Sequence, residues 1–505
     1  MDRFIESELH NAIFYDPKFI QRFLSGDAAK LEQVHEECGR LNEYYREYDI
    51  WQLPSKITTE KSLYEPLLKI FNTIKKAVDA VDAVDAADAS IHTDPSSRDH
   101  EETNSNPPSS DNDQSGNFVP SKKLDRTSKS AMPSTRSTRS NTGLTNTSKP
   151  PMPTKPSKPS FIDNSKYSIP SDRAETELIK PDLVLFEVEE KHKHWEHVRL
   201  PIEIKKQPGH QKAAMKQLSR YARAVFAHQL HRRHLYAMMV CGTEATFVRF
   251  DRAGILYSGP LDLRKKSKAF TDALASLLLL NKTDQGYDPA FTCKMNEQGR
   301  LVYFVDLPAS AFANQEPTTE STTSNENKIR RFEVAERLCH RRSICGRATI
   351  VLRIGKKDSG EEYILKIMWR DPERDSEGEV LRQVKGTFGL AQYVWHGDAC
   401  GNCRCASQAT RPWGCSECVA RTVQLEELEI CEQMTDIAIP VPPEVEGGDE
   451  VELMVVDTTS HRPTSRRRPH RICAFLVISS RGAPLQQAET AEQFMRAVLD
   501  AILGT

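Results

Sequence analysis

Hydrophobic positions concentrate in two parts of the chain, which are separated by a long polar stretch. Residues 1–85 favour helices, because apolar residues recur there at spacings of three and four. The clearest apolar helix face is formed by Leu63, Leu67, Leu68, Phe71 and Ile74. Between 86 and 166 the chain is rich in Ser, Thr, Pro, Asn, Asp and Lys and poor in aliphatic residues. A segment that buries so little apolar surface cannot offset its ordering entropy, so the composition predicts a disordered linker.

Regular patterns return in the region 167–310, for which we predict an α+β domain. Alternating or continuous apolar runs favour strands, and longer amphipathic stretches favour helices. The predicted strands are 182–188, 198–205, 235–241 and 245–252, and the predicted helices are 212–228 and 270–280. A second polar stretch, 311–330, is predicted to be a linker.

The last part of the chain, 331–505, has the pattern of a strand-rich domain. Its predicted strands are 348–354, 363–369, 451–456 and 472–479, and its predicted helices are 376–386 and 488–503. A cysteine-rich insertion at 396–418 interrupts this pattern.

Charge and apolar runs narrow the expected partners, although a nucleic-acid partner stays possible. Lys plus Arg number 69 and Asp plus Glu number 71, so charge does not support a nucleic-acid partner. No stretch approaches the about 18 apolar residues of a membrane span, and the N-terminus lacks the apolar core of a signal peptide. We therefore expect an intracellular protein, cytoplasmic or nuclear, with no membrane association. Its twelve cysteines are then expected to be thiols or metal ligands.

Five residues of the α+β domain form a pattern typical of metal-dependent nucleases. Asp182 opens one strand, and Glu203 and Lys205 lie two apart on the next, so their side chains share a face. Two carboxylates can hold Mg²⁺ beside a lysine that orients a water. Gln217 and Tyr221 share a helix face. The set resembles the PD-(D/E)xK nuclease superfamily, an α/β/α fold.

That resemblance also involves the N-terminal region. In the superfamily an acidic residue on the first core helix often joins the site. Glu60 or Glu65 could take this place, so the last helix of residues 1–85 is predicted to join the nuclease-like core.

A second pattern, in the last part of the chain, is typical of a protein kinase N-lobe. Gly346 lies at a turn where a kinase covers the phosphates of ATP, and Lys366 follows apolar residues on a predicted strand. Glu377 or Glu379, at the start of the next helix, could hold this lysine in an ion pair. The candidate nucleotide-binding residues are Gly346, Thr349, Val351, Lys366, Glu377 and Glu379.

Taken together, the motifs of residues 170–505 resemble the fungal-type protein kinase family. The resemblance rests on Lys180-Pro181-Asp182, Glu203-Ile204-Lys205, Phe250-Asp251-Arg252-Ala253-Gly254, Gly286-Tyr287-Asp288-Pro289, Gly346-Arg347-Ala348-Thr349 and Gly482-Ala483-Pro484-Leu485. It implies a nuclease-like domain followed by a kinase-like N-lobe. It also implies ATP-dependent Ser/Thr phosphorylation, with ATP and Mg²⁺ as cofactors and protein substrates or a partner protein.

The chain departs from the family pattern in two places. The turn carries only Gly346, and no His-Arg-Asp sequence occurs anywhere. We expect the chain to stop before the catalytic loop and to be an inactive fragment or pseudokinase, with no kinase catalytic residue of its own. The alternatives are a Mg²⁺-dependent nuclease and a non-catalytic scaffold built from both folds.

The cysteine-rich insertion predicts a structural zinc site. Cys400 and Cys403 form one Cys-x-x-Cys pair, and Cys415 and Cys418 form another, with 11 residues between the two pairs. Four thiolates suit tetrahedral Zn²⁺ and leave no open position for catalysis. Cys405 and His396 are the spare ligands of this prediction.

Overall fold

The computed structural model describes residues 2–91, 159–188, 193–315, 329–356, 360–387, 390–401, 413, 418–425, 428, 431, 468–479, 489–493 and 495. One compact unit comprises Met1–Asp85 and Lys158–Thr505, and a second comprises Ala86–Ser157. In the second unit only residues 86–91, the end of a helix, are described. The sheets and sites below all belong to the first unit.

Eight α-helices are assigned among the described residues. They are α1 Asp2–Leu9, α2 Phe19–Phe23, α3 Ala28–Leu41, α4 Glu43–Tyr48, α5 Tyr64–Ile91, α6 Gln211–His228, α7 Ser267–Leu279 and α8 Glu377–Gln383. The Asp27 side chain caps α3 by accepting a hydrogen bond from the Lys30 amide. The Asn42 side chain caps α4 in the same way, by accepting from the Tyr45 amide. No described helix has both the length and the apolar character needed to cross a bilayer.

The first sheet has eight strands: β1 Ile13–Tyr15, β2 Phe161–Asp163, β3 Leu183–Phe186, β4 Val198–Lys205, β5 Leu235–Cys241, β6 Glu244–Asp251, β7 Gly254–Tyr257 and β8 Leu261–Asp262. Seven of them follow the order β1-β7-β6-β5-β4-β3-β2, and the eighth, β8, pairs with β6 outside this order. The strands β4 and β5 are parallel and are joined through α6, the crossover that parallel neighbours require.

Helices cover both faces of this sheet. On one face α3, α5 and α7 pack against strand residues such as Ile202 and Ile204. On the other face α1 and α6 pack against residues such as Met239 and Phe250. Every residue of β5 is buried, as expected for a strand with helices above and below it. The first part of the chain is therefore an α/β/α sandwich.

The second sheet has seven strands: β9 Phe291–Met295, β10 Leu301–Pro308, β11 Ile329–His340, β12 Ile350–Lys356, β13 Glu361–Arg370, β14 Tyr393–Asp398 and β15 Ile472–Ile478. They are all antiparallel and lie in the order β14-β15-β13-β12-β11-β10-β9. One face packs a large apolar core around Phe332, Leu365 and Phe475. On the other face the described residues form a small cluster of Met368, Ala474 and Leu476 under α8.

Buried arginines join the two sheets. Arg252 donates to the Ser343 carbonyl at 2.7 Å, and its guanidinium lies 4.0 Å from the centre of the Phe226 ring. Arg233 binds Asp288 at 2.7 Å and the Cys400 carbonyl at 2.6 Å. Several motif residues that suggested the family are thus structural links within this unit.

The prediction of an α+β fold is confirmed. The boundaries of the segment predicted to be a linker, 86–166, need correction, because α5 continues to Ile91 and β2 begins at Phe161. Phe161 is buried and its ring lies 5.5 Å from that of Phe71, so packing against α5 orders the chain there. Residues 92–158 lie outside the described part.

The segment predicted as the second linker, 311–330, is also shorter. A 3₁₀ helix extends over Ala309–Gln315, with Phe312 buried against Phe332, and β11 begins at Ile329. The strand predicted at 451–456 lies outside the described residues, as does most of the helix predicted at 488–503.

Candidate functional site

An ion pair between Lys366 and Glu377 lies on the lightly covered face of the second sheet. Lys366 stands in the middle of β13, beside Val351 on β12 and Leu476 on β15. Cross-strand neighbours share a face of the sheet, so these three side chains lie on one surface. The Lys366 Nζ donates to both carboxylate oxygens of Glu377, at 2.6 and 2.7 Å.

The fold selects Glu377 over Glu379 as the partner of this lysine. Glu377 is the first residue of α8, and its carboxylate also accepts a hydrogen bond from Arg347 at 3.3 Å. Glu379 instead binds Arg382 at 2.5 and 3.0 Å. The helix approaches β14 closely, since a Cβ at Gly378 would collide with the His396 side chain. This close approach helps to bring Glu377 over β13.

The Gly346 turn, expected to cover phosphates, is attached to the first sheet. Gly346 has a φ of +86° and its amide donates to the Arg252 carbonyl at 2.9 Å. Ile344 is fully buried in the core beneath α1 and α6, and its amide donates to Glu8 at 2.9 Å. Thr349 is also buried. In this structure the turn is an anchored link between the sheets and not an open flap.

The structure brings Asp182, Glu203, Lys205 and Tyr221 together at the end of β4. Lys205 Nζ donates to Glu203 Oε1 at 2.5 Å, and the Tyr221 hydroxyl donates to Glu203 Oε2 at 2.6 Å. Asp182 Oδ2 accepts from the Ile204 amide at 2.8 Å. Gln217, in contrast, accepts from Arg220 at 3.0 Å.

Tyr64 is a member of this cluster that sequence reasoning missed. Its hydroxyl donates to Asp182 Oδ1 at 2.6 Å. The N-terminal region also contributes Glu60, whose carboxylate lies 3.9 Å from the Lys205 Nζ, whereas Glu65 is exposed. The only sequence signal for Tyr64 is its place at the start of the helix that was expected to supply an acidic residue.

Burial controls the protonation of the two carboxyl groups. Burial, and then the charge of Asp182, raises the pKa of Glu203 to about 7. Burial also raises the pKa of Asp182, although Tyr64 and the Ile204 amide oppose the rise. Each of the four carboxylate oxygens already accepts a hydrogen bond from the protein. A carboxylate oxygen has two lone pairs, so each of these oxygens can still accept one further ligand.

The two ends of the cysteine-rich insertion lie side by side. Cys400 forms a backbone bridge with Val419, and the Gly401 amide donates to the Cys418 carbonyl at 2.5 Å. Cys403, Cys405 and Cys415 lie outside the described residues. No group of three or more potential ligands (His, Cys, Asp or Glu) suited to a metal is found within the described part of the chain.

The second sheet and its ion pair define a class of protein. Counted from β11, Lys366 lies on the third strand, and the glutamate that holds it opens the next helix. This is the arrangement of the strand lysine and helix glutamate in a protein kinase N-lobe.

Comparison of the sequence with protein families agrees with that assignment. The family model described as fungal protein kinase matches residues 180–505. The chain belongs to the fungal protein kinase family, which confirms the resemblance found in its motifs. No curated protein and no solved structure matches the chain.

Proposed function

We propose that this chain supplies the nucleotide-binding half of a protein kinase. The observation that carries the proposal is the bidentate contact of Lys366 with Glu377. In kinases such a pair positions the lysine for the phosphates of ATP. The Lys366 side chain is 25% exposed, so a ligand can reach it. Beside it, Val351 is partly exposed, whereas Leu476 is buried, and the apolar surface of Val351 suits the base or sugar of a nucleotide.

We propose that these 505 residues bind nucleotide without transferring phosphate. Transfer requires a catalytic-loop aspartate and metal-binding residues, and no His-Arg-Asp sequence is present. The anchored Gly346 turn also favours weak binding, because its amides at 344 and 346 already donate within the protein. We expect a Kd for Mg·ATP on the order of 1 mM.

Ligand-observed NMR titration with Mg·ATP tests this proposal. Lys366→Met should abolish the ATP signal, and Glu377→Gln should weaken binding several-fold. Glu379→Gln is the matched control, since it makes the same change two residues further along α8 at a side chain that binds Arg382. Binding that is unchanged in Lys366→Met would refute the site.

A transfer assay with radiolabelled ATP and a general protein substrate tests the second part. No incorporation above background is expected. Incorporation that disappears in Lys366→Met would show that the chain is an active kinase and would overturn the proposal of binding without turnover.

Nuclease activity is the second candidate, favoured by the proximity of Asp182, Glu203 and Lys205. The hydrogen bonds that the protein itself gives to both carboxylates support a non-catalytic, scaffold role for the first sheet instead. Incubation with DNA in Mg²⁺ or Mn²⁺ separates the two. We expect no cleavage, and cleavage that is lost in Lys205→Ala would establish the nuclease.

A structural zinc ion is proposed for the cysteine-rich insertion, supported by the adjacent backbones of Cys400 and Cys418. Elemental analysis of protein purified without chelators should give about one zinc per chain. Cys418→Ser should lose it, and Cys339→Ser, at an exposed cysteine of β11, should not. Equal zinc in both variants would contradict the site.

A further inference from the structure

A cavity of about 470 Å³ opens where the first sheet's helices meet the second sheet. Its cationic wall comes from separate segments of the chain. Arg173 precedes the 3₁₀ helix Ala174–Thr176, Arg337 lies on β11, and Arg342 lies between β11 and the Gly346 turn. His228 ends α6 and completes this wall.

Each of the two acidic side chains of the cavity is paired with an arginine, and Arg342 is the partner of Glu175. Asp172 accepts from Arg300, at 2.8 Å for its Oδ1, and Glu175 forms an ion pair with Arg342. Arg337 donates to the Ala227 carbonyl at 3.2 Å but pairs with no acidic side chain of the described chain. The cavity therefore keeps an excess of positive charge.

Arg173 is the key residue of this wall. Its guanidinium has no hydrogen bond or ion pair with any described residue, although its backbone carbonyl accepts from the Thr176 hydroxyl. Burial, followed by the charges of Arg342 and Arg337, lowers the pKa of Arg173 to about 10. The guanidinium groups of Arg173 and Arg337 share a partly enclosed space and repel each other, and an anion between them would relieve this cost.

His228 contributes a neutral ring to the same wall. Its Nδ1 lies 2.7 Å from the Ala224 carbonyl, so this nitrogen carries the proton. Its Nε2 then accepts from the Ser171 hydroxyl at 2.9 Å. Burial lowers the pKa of His228 to about 4. The positive charge available to a ligand at neutral pH thus comes from the arginines.

We propose that this cavity binds a phosphate-bearing ligand through Arg173 and Arg337, with Arg342 beside them. Guanidinium groups bind phosphate oxygens with paired, charge-assisted hydrogen bonds. The cavity volume lies in the range of sites for small organic molecules, about 300–1,000 Å³. The phosphate group can belong to a free metabolite or to a phosphorylated side chain, since both present the same dianion.

The site is separate from the Lys366 pair and has its own consequence. Its walls come from the first sheet's α6 and the loop at 173, and from β11 of the second sheet. A ligand that contacts both Arg173 and Arg337 would hold these parts of the unit together. Ligand binding to the native state alone raises stability, so the occupied protein should melt at a higher temperature.

Isothermal titration of the full chain with pyrophosphate, at constant ionic strength, tests the proposal. Arg173→Gln and Arg337→Gln should each weaken binding about tenfold or more. Arg331→Gln is the matched control, because it removes the same charge from the same strand at an exposed residue paired with Asp306.

A second titration compares the affinity of the chain for O-phosphoserine, which represents a small metabolite, with its affinity for a phosphoserine peptide. Tighter binding of the peptide would identify a phosphorylated side chain as the source, and equal or weaker binding would identify a small metabolite. The Arg173 variant keeps the proposal falsifiable even if Arg337→Gln loosens the fold, because the Arg173 side chain has no hydrogen-bond or ion-pair partner among the described residues. Undiminished binding in Arg173→Gln, or no pyrophosphate binding to the wild type, would overturn the site.

Discussion

The molecule contains the same chemical pair in two different settings. In the first sheet Lys205 binds Glu203 at 2.5 Å, and in the second Lys366 binds Glu377 at 2.6 Å. The Glu203 side chain is only 4% exposed, whereas that of Glu377 is 36% exposed. The first pair lies inside an α/β/α sandwich, and the second lies on a sheet face that α8 covers in part.

The setting decides what each pair can do. Tyr221 and Lys205 occupy the oxygens of Glu203, and Tyr64 and the Ile204 amide occupy those of Asp182. These four contacts hold both carboxyl groups in fixed positions. Lys366 remains reachable from solvent, so its pair can exchange a protein contact for a ligand contact. The same lysine–glutamate chemistry is therefore structural where it is enclosed and suited to binding where it is open.

The largest loss of folding stability is expected when the buried pair of Glu203 and Lys205 is broken. Glu203→Ala leaves Lys205 and Tyr221 without their carboxylate, and removing one partner of a buried pair costs about 3–5 kcal/mol. Glu377→Ala removes a partly exposed pair and should cost about 1 kcal/mol or less. Urea unfolding of both variants measures the difference. Equal losses would break the comparison.

The pH dependence of stability should also separate the two settings. The pKa of Glu203 is raised from 4.5 to about 7 in the folded protein, so the fold favours its protonated form. This stabilisation is full below about pH 4.5 and is lost as pH rises through about 7, by roughly 2–3 kcal/mol.

The pH effect is measured as the stability difference between the wild type and Glu203→Gln from pH 4 to 8. The advantage of the wild type should fall as pH rises. Glu379→Gln is the control, since Arg382 lowers the pKa of Glu379 and its carboxylate stays charged from pH 5 to 8. A constant difference for Glu203→Gln would show that the carboxyl is not held protonated.

A smaller effect is expected from the tyrosine that holds Asp182. Tyr64→Phe removes one hydrogen bond to a buried carboxyl group, for a cost of about 1–2 kcal/mol. Tyr393→Phe removes the partly buried hydroxyl contact with His396 at 3.0 Å and should cost less. Thermal unfolding of the two variants gives the comparison, and a loss in Tyr393→Phe as large as in Tyr64→Phe would contradict it.

Lys366→Met is expected to have the smallest effect on folding stability, although it is expected to have the largest effect on ATP binding. Lys366→Met keeps much of the apolar stem and removes a partly exposed ion pair, so stability should change by less than about 1 kcal/mol. Loss of ATP binding in a variant that unfolds like the wild type would distinguish a binding pair from a structural one. A large loss of stability in Lys366→Met would show that Lys366 has a structural role like that of Lys205.

Much of the local structure followed from the sequence alone. The apolar runs predicted β4 and β5 with the bounds that the structure has, and predicted α6 to within one residue. The two-residue period of a strand also placed Glu203 and Lys205 on one face. These features depend on neighbouring residues, which is why a sequence pattern suffices. In contrast, β14 was missed, because its short run of Trp395, His396 and Gly397 carries no clear alternation.

The long-range choices were decided only by the tertiary structure. Either Glu377 or Glu379 could reach Lys366 from the start of a helix, and the docking of α8 through Gly378 against His396 favours Glu377. The attachment of the Gly346 turn to Arg252 joins residues about ninety positions apart. Such contacts have no local period, because the partner of each polar group depends on which surfaces meet after the sheets have packed.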